Sequence, residues 1–279
     1  MKKKNVDEIK SKKLLKNLID LGLKKKDVVF VSANFSRLTI NFPRLSEIFF
    51  KDLSNFLSRE GTLVSQSYTT YTARYGVKYI HEKSLPINGA LSKIFFYSKK
   101  KIRSLHPINS FIAIGKHAKV ICSKNSMNNF GIGSPLDRVL ELNGKVLRIG
   151  IKSGDSPYMH YAETLFGVPY TYNKLLDIKV IKFNKIIKKN FIANVRYLEN
   201  VKNIIYDLKK LNKLFKKKFK ENITYFANEQ VSLINSKKVV DYYFDMLKKN
   251  IWSFLKKKPI FKKGQIPFDG STFKKGVQV

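Results

Sequence analysis

The chain has 279 residues, of which 43% are hydrophobic, so it is long enough to bury a large core. Its formal net charge is +35, and the single cysteine, Cys122, excludes an internal disulfide framework. No apolar run approaches the roughly 20 residues of a membrane span, and a charged helical segment follows the basic N-terminus where a signal core would stand. We therefore expect no membrane span, no secretion signal and a reducing, cytoplasmic location.

The lysine excess is open to two interpretations. Only eight of the 55 basic residues are arginine, and the lysine runs are spread along the chain, as in Lys24–Lys26, Lys99–Lys101 and Lys216–Lys218. They form either a solvated surface or a field that attracts anionic ligands. The sequence contains no zinc-finger spacing, RNP-like stretch or phosphate-loop motif, so we expect no dedicated nucleic-acid binding.

The N-terminal part alternates helix and strand. Helical spacing of apolar residues predicts helices over Val6–Leu23 and Ser46–Leu57, and short apolar runs predict strands at Val28–Val31 and Thr62–Ser67. This alternation is typical of a parallel sheet with crossover helices. The Tyr- and Thr-rich stretch from Tyr68 to Leu85 predicts a long loop, either functional or plain surface, and we expect its His81 to be exposed.

A helix carrying a histidine follows the next predicted strand, Val146–Ile151. Ser156 and Pro157 are typical of a helix start, and Gly167 of its end, so the helix should run from about Pro157 to Phe166. His160 and Glu163 then share one face of one turn, where a carboxylate can orient an imidazole as a general base. The spacing alone favours a capped surface helix with an incidental His–Glu pair.

The C-terminal part changes pattern. Lys179–Phe183 and Phe191–Tyr197 are typical of antiparallel strands, Val201–Phe219 of a helix, and Ser236 should cap a helix that continues to Asn250. The tail over residues 256–279 is basic and should be irregular. We predict one domain over residues 1–279, of α/β class, with a mixed sheet, a parallel βα N-terminal part, a smaller mixed lobe and a cleft between the lobes.

Four blocks in order carry a resemblance to a known family. They are RSLHPINSFIAIG, GSPL, ELNGKVLRIG and the HYAE of the histidine helix, all between residues 103 and 163. The chain resembles the aminoglycoside 3-N-acetyltransferase, or antibiotic N-acetyltransferase, family. The resemblance implies that family's fold, acetyl-CoA as co-substrate, no metal, and a small-molecule amine acceptor. It also implies that coenzyme A contacts the corner after the first strand, here Ser32, Ser36 and Arg37.

The resemblance further assigns the Arg-Ser-x-His-Pro block to the cofactor and acceptor sites. The residues concerned here are Arg103, Ser104, His106, Ser110 and Phe111. In the implied mechanism, His160 takes the proton of the attacking amine, Glu163 orients the ring, and Asp155 helps to bind the amine. Family members that accept antibiotics bind polycations, and a charge of +35 should oppose their binding through long-range repulsion. A local acidic pocket around Asp155, Glu163 and Asp137 would override that repulsion.

The acceptor predicted from charge is an amine that is neutral overall or carries phosphate, with a nucleotide-linked amino sugar as the natural candidate. The alternatives are a genuine aminoglycoside-antibiotic acetyltransferase acting in resistance, and a basic, non-catalytic binding protein on the same fold. The sequence leaves both a monomer and a homodimer open.

Overall fold

A mixed β-sheet forms the centre of the molecule. The computed structural model describes residues 2–123, 126–151, 156–197 and 204–261, with side chains from Val6 onward. The spatial order of the strands in this sheet is β11 (Ile223–Phe226), β12 (Glu229–Asn235), β6 (Lys145–Ile149), β1 (Val28–Ala33), β2 (Thr62–Tyr68), β5 (Asn109–Gly115) and β4 (Ile102–Arg103). β1 runs parallel to both β2 and β6, and the other neighbours are antiparallel. This confirms the predicted α/β class, with a mixed sheet and a parallel βα N-terminal part.

Helices cover both faces of this sheet. The first face carries α1 (Lys2–Asp20), α2 (Ser36–Asn41), α3 (Leu45–Leu57) and α5 (Ala90–Tyr97); the second carries α6 (Ala118–Cys122), α7 (Pro135–Glu141), α8 (Pro157–Phe166), α9 (Leu208–Lys218) and α10 (Ser236–Lys249). Because side chains alternate along a strand, Val29 and Val31 of β1 join the first core while Val28 and Phe30 join the second.

Two small sheets lie beside the main one. β7 (Thr171–Leu175) pairs antiparallel with β10 (Ile192–Arg196), and β8 (Val180–Lys182) pairs with β3 (Tyr79–Ile80) and β9 (Lys185–Ile186). The loop predicted over Tyr68–Leu85 therefore contains β3, and also α4 (Tyr71–Tyr75). Among the described helices, none has the length and apolar character needed to cross a bilayer. The assignment of residues 1–279 to one domain of two lobes stays a prediction.

Three sequence predictions for buried or capping residues have clear outcomes. Cys122 is packed in the core as predicted, where burial raises the pKa of its thiol to about 12. The prediction that His81 is exposed was wrong, because β3 places it against Arg103 in the interior, where burial lowers its pKa to about 3. The prediction of Ser236 as a helix cap was also wrong: Asn235 caps α10 by accepting from the amides of Lys237 and Lys238.

This cap gives a stability prediction. Asn235→Ala removes the oxygen that satisfies two amides at the start of α10, and it should lower the free energy of unfolding by about 1 kcal/mol. Asn235→Ser restores a short oxygen acceptor and should recover most of the loss. Urea unfolding of the two variants checks this, and equal stabilities for the alanine and serine variants would contradict the assigned cap.

Candidate active site

α8 presents His160 and Glu163 from the same turn, as the sequence predicts. The Ser156 hydroxyl accepts from the amide of Tyr158 (3.2 Å), Pro157 occupies the first helical position, and Gly167 ends the helix with a φ of 70°. Each of these signals is local, so the helix has the predicted bounds. The 34% side-chain exposure of His160 contrasts with 1% for Glu163, so the imidazole is accessible while its partner is enclosed.

The Glu163 carboxylate accepts hydrogen bonds from three side chains of the described structure. The imidazole of His160 lies with Nδ1 2.8 Å from Oε2, the Tyr206 hydroxyl donates to the same oxygen at 2.9 Å, and the Tyr170 hydroxyl donates to Oε1 at 2.9 Å. A buried carboxylate has to be compensated in this way, because its charge is costly to remove from water. The three donors therefore hold Glu163 in one position behind the imidazole.

This arrangement sets the protonation pattern of the cluster. An ionised carboxylate only accepts, so the ring proton of neutral His160 resides on Nδ1 and Nε2 carries the lone pair. Burial, and then the charge of Glu163, raise the pKa of Tyr170 and of Tyr206, so both tyrosines remain hydroxyl donors. Nε2 is consequently the nitrogen that can accept a proton from a ligand.

A cavity of about 330 Å³ has His160 in its wall. The His160 ring lies 5.6 Å from the Phe130 ring and 5.8 Å from the Tyr206 ring, between centroids. The other lining residues are Tyr68, Thr70, Ile108, Asn109, Asn129, Glu163, Thr171, Asn194, Val195 and Arg196. We call this the histidine cavity; it offers aromatic walls and amide groups around a single accessible imidazole.

A larger cavity, of about 760 Å³, lies at the carboxyl ends of β1, β2 and β6, and we call it the strand-end cavity. It is lined by Ala33–Arg37 after β1, Gly150 and Ile151 after β6, and by polar side chains that include Asn88, Lys216 and Asn228. The two cavities are neighbours along β2. Gln66 lines the strand-end cavity and Tyr68 lines the histidine cavity, about 7 Å further along the same face of the strand.

Of the coenzyme A contacts predicted at the end of β1, the structure places two in the wall of the strand-end cavity and one outside it. Ser36 and Arg37 line the strand-end cavity, whereas Ser32 lies buried within β1 and is not among its lining residues. The Ser36 hydroxyl donates to Asn34 (2.7 Å), and Arg37 reaches Glu229 (3.3 Å) while its side chain remains mostly exposed. Asn34 itself also lines the cavity and contributes a polar side chain there.

The residues predicted from the Arg-Ser-x-His-Pro block are placed inside the fold. The Arg103 guanidinium donates to the Ser110 hydroxyl and to the carbonyls of His81, Ser84 and Ser67, at 2.8 to 3.1 Å. The Ser104 hydroxyl accepts from the amide of Phe111 (2.8 Å). None of these three side chains, nor Phe111 or His106, lines either cavity. The geometry thus favours support of the site over the predicted direct contact with cofactor.

His106 joins the start of β5 to β10. Its Nδ1 accepts from the amide of Asn109 (3.1 Å), and its Nε2 faces the carbonyl of Ile192 (3.2 Å), so the ring is neutral with its proton on Nε2. Burial lowers the pKa of His106 to about 4. Ile108 and Asn109, two and three residues after it, line the histidine cavity, so His106 holds one wall in place.

Two further predictions concern acidic residues. Asp155 falls outside the described residues, so its role in binding the amine stays a prediction. Asp137 lies away from the histidine cavity, where it accepts from the Tyr161 hydroxyl and from the amide of Gly133. Within the described ranges there is no group of three or more His, Cys, Asp or Glu side chains suited to a metal ion.

The sequence predictions omitted Tyr170, Tyr206 and Arg196. Tyr170 precedes β7, Tyr206 precedes α9 and Arg196 ends β10, so these residues reach the α8 cluster from separate segments. No local spacing indicates such contacts, because only the tertiary fold brings these segments together.

Comparison with known proteins identifies the family. The family model described as aminoglycoside 3-N-acetyltransferase matches residues 30–248, which is most of the chain. The chain belongs to the aminoglycoside 3-N-acetyltransferase family. The match includes every described lining residue of both cavities and all of α8, so the His160–Glu163 pair lies within the family region.

Individual relatives are more distant. The chain is 30% identical to aminoglycoside N(3)-acetyltransferase III of Salmonella sp over 82 residues, 29% of each chain. It is 32% identical to aminoglycoside N(3)-acetyltransferase IV of Salmonella sp over 116 residues, 41% of each chain. The alignments thus span well under half of these curated relatives.

Solved structures resemble the chain over a greater length. The apoenzyme of aminoglycoside acetyltransferase AAC(3)-IVa matches with a TM-score of 0.71 and 22% identity, over 88% of this chain and 91% of that one. The YokD protein from Bacillus subtilis matches with a TM-score of 0.70 and 19% identity, over 86% and 99%. AAC-IIIb, solved as a binary complex with CoASH, matches with 0.71 and 18% identity, over 89% and 98%. These likenesses establish the fold.

The buried histidines give a pH prediction. Burial lowers the pKa of His106 to about 4 and that of His81 to about 3. Between pH 6.5 and pH 5, these two side chains therefore bind protons in the unfolded chain but stay neutral in the folded chain. The free energy of unfolding should therefore fall by about 1.5 kcal/mol per histidine between pH 6.5 and pH 5.

His106→Asn tests this dependence, because the asparagine oxygen can still accept from the amide of Asn109 but does not titrate. The variant should lose about half of the wild-type dependence on pH in this window. Urea unfolding at half-unit steps measures both slopes, and identical slopes would show that His106 is not the neutral ring described.

Proposed function

We propose that the protein is an acetyl-CoA-dependent N-acetyltransferase in which His160 is the general base. The observation that carries the proposal is the accessible imidazole of His160, fixed through Nδ1 by an enclosed carboxylate, beside a cavity that adjoins a larger one. Family membership supports the reaction class. The accessible nitrogen of such a pair suits the removal of a proton from an amine during its attack on an acyl group.

The strand-end cavity suits coenzyme A. It lies where β1 has parallel neighbours on both sides, which is the edge where open α/β sheets bind ligands. Arg37 and Lys216 supply positive charge for phosphates, and Asn34, Asn88 and Asn228 supply amide groups. A related protein of the same fold was solved with CoASH. Gln66 of β2 lines this cavity, and Tyr68, two residues further along the strand, lines the histidine cavity. We therefore expect the acyl end of a long ligand to extend from the strand-end cavity toward His160.

In the proposed reaction, acetyl-CoA supplies a thioester carbonyl and the acceptor supplies a neutral amine. The new C–N bond forms as the C–S bond breaks, and coenzyme A leaves as the thiolate. His160 Nε2 takes the proton that the amine loses, and the proton then neutralises the thiolate. Glu163 stabilises the positive charge that develops on the ring, and Tyr170 and Tyr206 keep the carboxylate in place throughout. Residues 103–111 support the wall around this centre.

An aminoglycoside acceptor is the second candidate, and the names of the relatives favour it. The matching enzymes are named aminoglycoside N(3)-acetyltransferases, and a structural neighbour, AAC-VIa, was solved bound to sisomicin. Resistance to such an antibiotic would follow from that activity. The proposed reaction is the same for an amine of either kind, and only the acceptor differs.

The first test replaces the general base. His160→Gln keeps a polar side chain but removes the basic nitrogen, and it should lower kcat by about 10²- to 10⁴-fold with little change in KM for acetyl-CoA. Thiol release from acetyl-CoA with a panel of amines measures this. Wild-type release that equals that of His160→Gln would refute the proposed role, and no release with any amine would favour a non-catalytic binding protein.

The second test changes the orienting carboxylate. Glu163→Gln keeps the size of the side chain but removes its charge, so the imidazolium formed during the reaction loses its stabilising partner. We expect kcat to fall by about 10- to 100-fold, and we expect a shift in the acidic limb of the pH–rate profile, where protonation removes the general base. Circular dichroism and thermal melting control for the buried position of Glu163. An unchanged pH profile would argue that the pair is incidental.

A further inference from the structure

The accessible charge of the histidine cavity is positive. Its described lining contains three residues that can carry a full charge near neutral pH: His160, Glu163 and Arg196. The Glu163 carboxylate is only 1% exposed and already accepts from three protein donors. It therefore compensates the imidazole and offers little to an ammonium group of a ligand. Arg196 is half-buried and belongs to the wall of the cavity.

Asp137 adds no negative charge to this cavity. It is absent from the lining, and its two oxygens accept from the Tyr161 hydroxyl and the amide of Gly133. A polycation needs carboxylates that face it, because each unpaired ammonium group would otherwise lose its hydration without compensation. The described lining thus lacks the groups that would favour a polycationic acceptor.

Among the described residues, Arg196 has a fixed position, and most of its N–H groups have no protein acceptor. Its guanidinium stacks on the ring of Tyr206, 4.5 Å from the centroid, and one terminal nitrogen approaches the Ile204 carbonyl at 3.5 Å. Tyr206 is also the ring that lies 5.8 Å from His160 and donates to Glu163. A planar guanidinium with free N–H groups matches the oxygens of a phosphate or carboxylate, and stacking reduces the entropy lost when it binds.

We propose that the acceptor of this enzyme is an amine that also carries a phosphate, and that Arg196 binds the phosphate while His160 faces the amine. The inference rests on the acetyltransferase function proposed above and adds its substrate class. Tyr206 sets the spacing between the two groups, because it contacts both side chains. The net charge of +35 acts in the same direction, since it attracts anions and repels polycations at long range.

The experiment compares acceptors that differ in charge. Thiol release from acetyl-CoA is measured with glucosamine, glucosamine 6-phosphate, a nucleoside-diphosphate amino sugar and sisomicin. We expect at least one phosphate-bearing amine to have a KM tenfold or more below that of glucosamine. A lower KM for glucosamine 6-phosphate would identify a phosphate monoester as the bound group. A lower KM for the nucleoside-diphosphate amino sugar would identify a diphosphate.

Three variants locate the effect. Arg196→Gln should raise the KM for the preferred phosphate-bearing amine roughly 10- to 100-fold, with kcat and the KM for acetyl-CoA within about threefold of wild type. Arg196→Lys should recover part of the loss because it restores the charge. Lys213→Gln, an exposed position on α9 outside both cavities, makes the same change in net charge and should leave all constants unaltered.

Direct titration separates failure of this inference from failure of the reaction. Glucosamine 6-phosphate and the nucleoside-diphosphate amino sugar are titrated calorimetrically into His160→Ala, with and without Arg196→Gln. A loss of affinity in the double variant supports the phosphate site even without turnover. Turnover of amines with no preference for phosphate, or with sisomicin preferred and Arg196→Gln neutral, would overturn the inference and leave the acetyltransferase standing. No binding and no turnover would overturn both.

Discussion

The enclosed carboxylate of Glu163 is the constraint on which the rest of the site depends. A carboxylate at this depth is tolerated only when donors replace its lost water, and here the donors are His160, Tyr170 and Tyr206. They come from α8, from the segment before β7 and from the segment before α9. The same three hydrogen bonds thus compensate a buried charge, fix the tautomer of the imidazole and join three parts of the chain around the histidine cavity.

The sheet determines where this cluster can act. β1 and its parallel neighbours end at one edge, and the connections that follow β1 and β6 open there to form the strand-end cavity. β2 extends past that cavity to Tyr68, which lines the histidine cavity. The antiparallel strand β5 begins beside Tyr68, where Asn109 and the preceding Ile108 line the histidine cavity. Arg103 and His106 make that strand rigid by using their hydrogen-bonding groups within the protein.

The features that the sequence predicts well are those with local causes. The capping serine, the proline and the terminal glycine of α8 lie within a dozen residues, and the helix has the predicted bounds. The alternation of helices and strands up to β2 likewise follows from periodicity. The errors have non-local causes. His81 sits in a polar stretch yet is buried by Arg103, and Asn235 rather than Ser236 caps α10 because β12 pairs as far as Asn235. Tyr170, Tyr206 and Arg196 could not be found, since no spacing in the sequence relates them to Glu163.

The total charge of the chain and the charge that a ligand meets are different quantities. Much of the lysine excess lies on exposed faces, as in α9, where salt screens its field beyond about 8–10 Å. Such lysines can raise the local concentration of anions but cannot orient one. Orientation requires a charge held at a defined distance from the reacting group. Within the described wall of the histidine cavity, Arg196 meets that condition, because the ring of Tyr206 contacts both its guanidinium and His160. The proposed acceptor class therefore depends on a few side chains in this wall, whereas the proposed chemistry depends on the pair on α8.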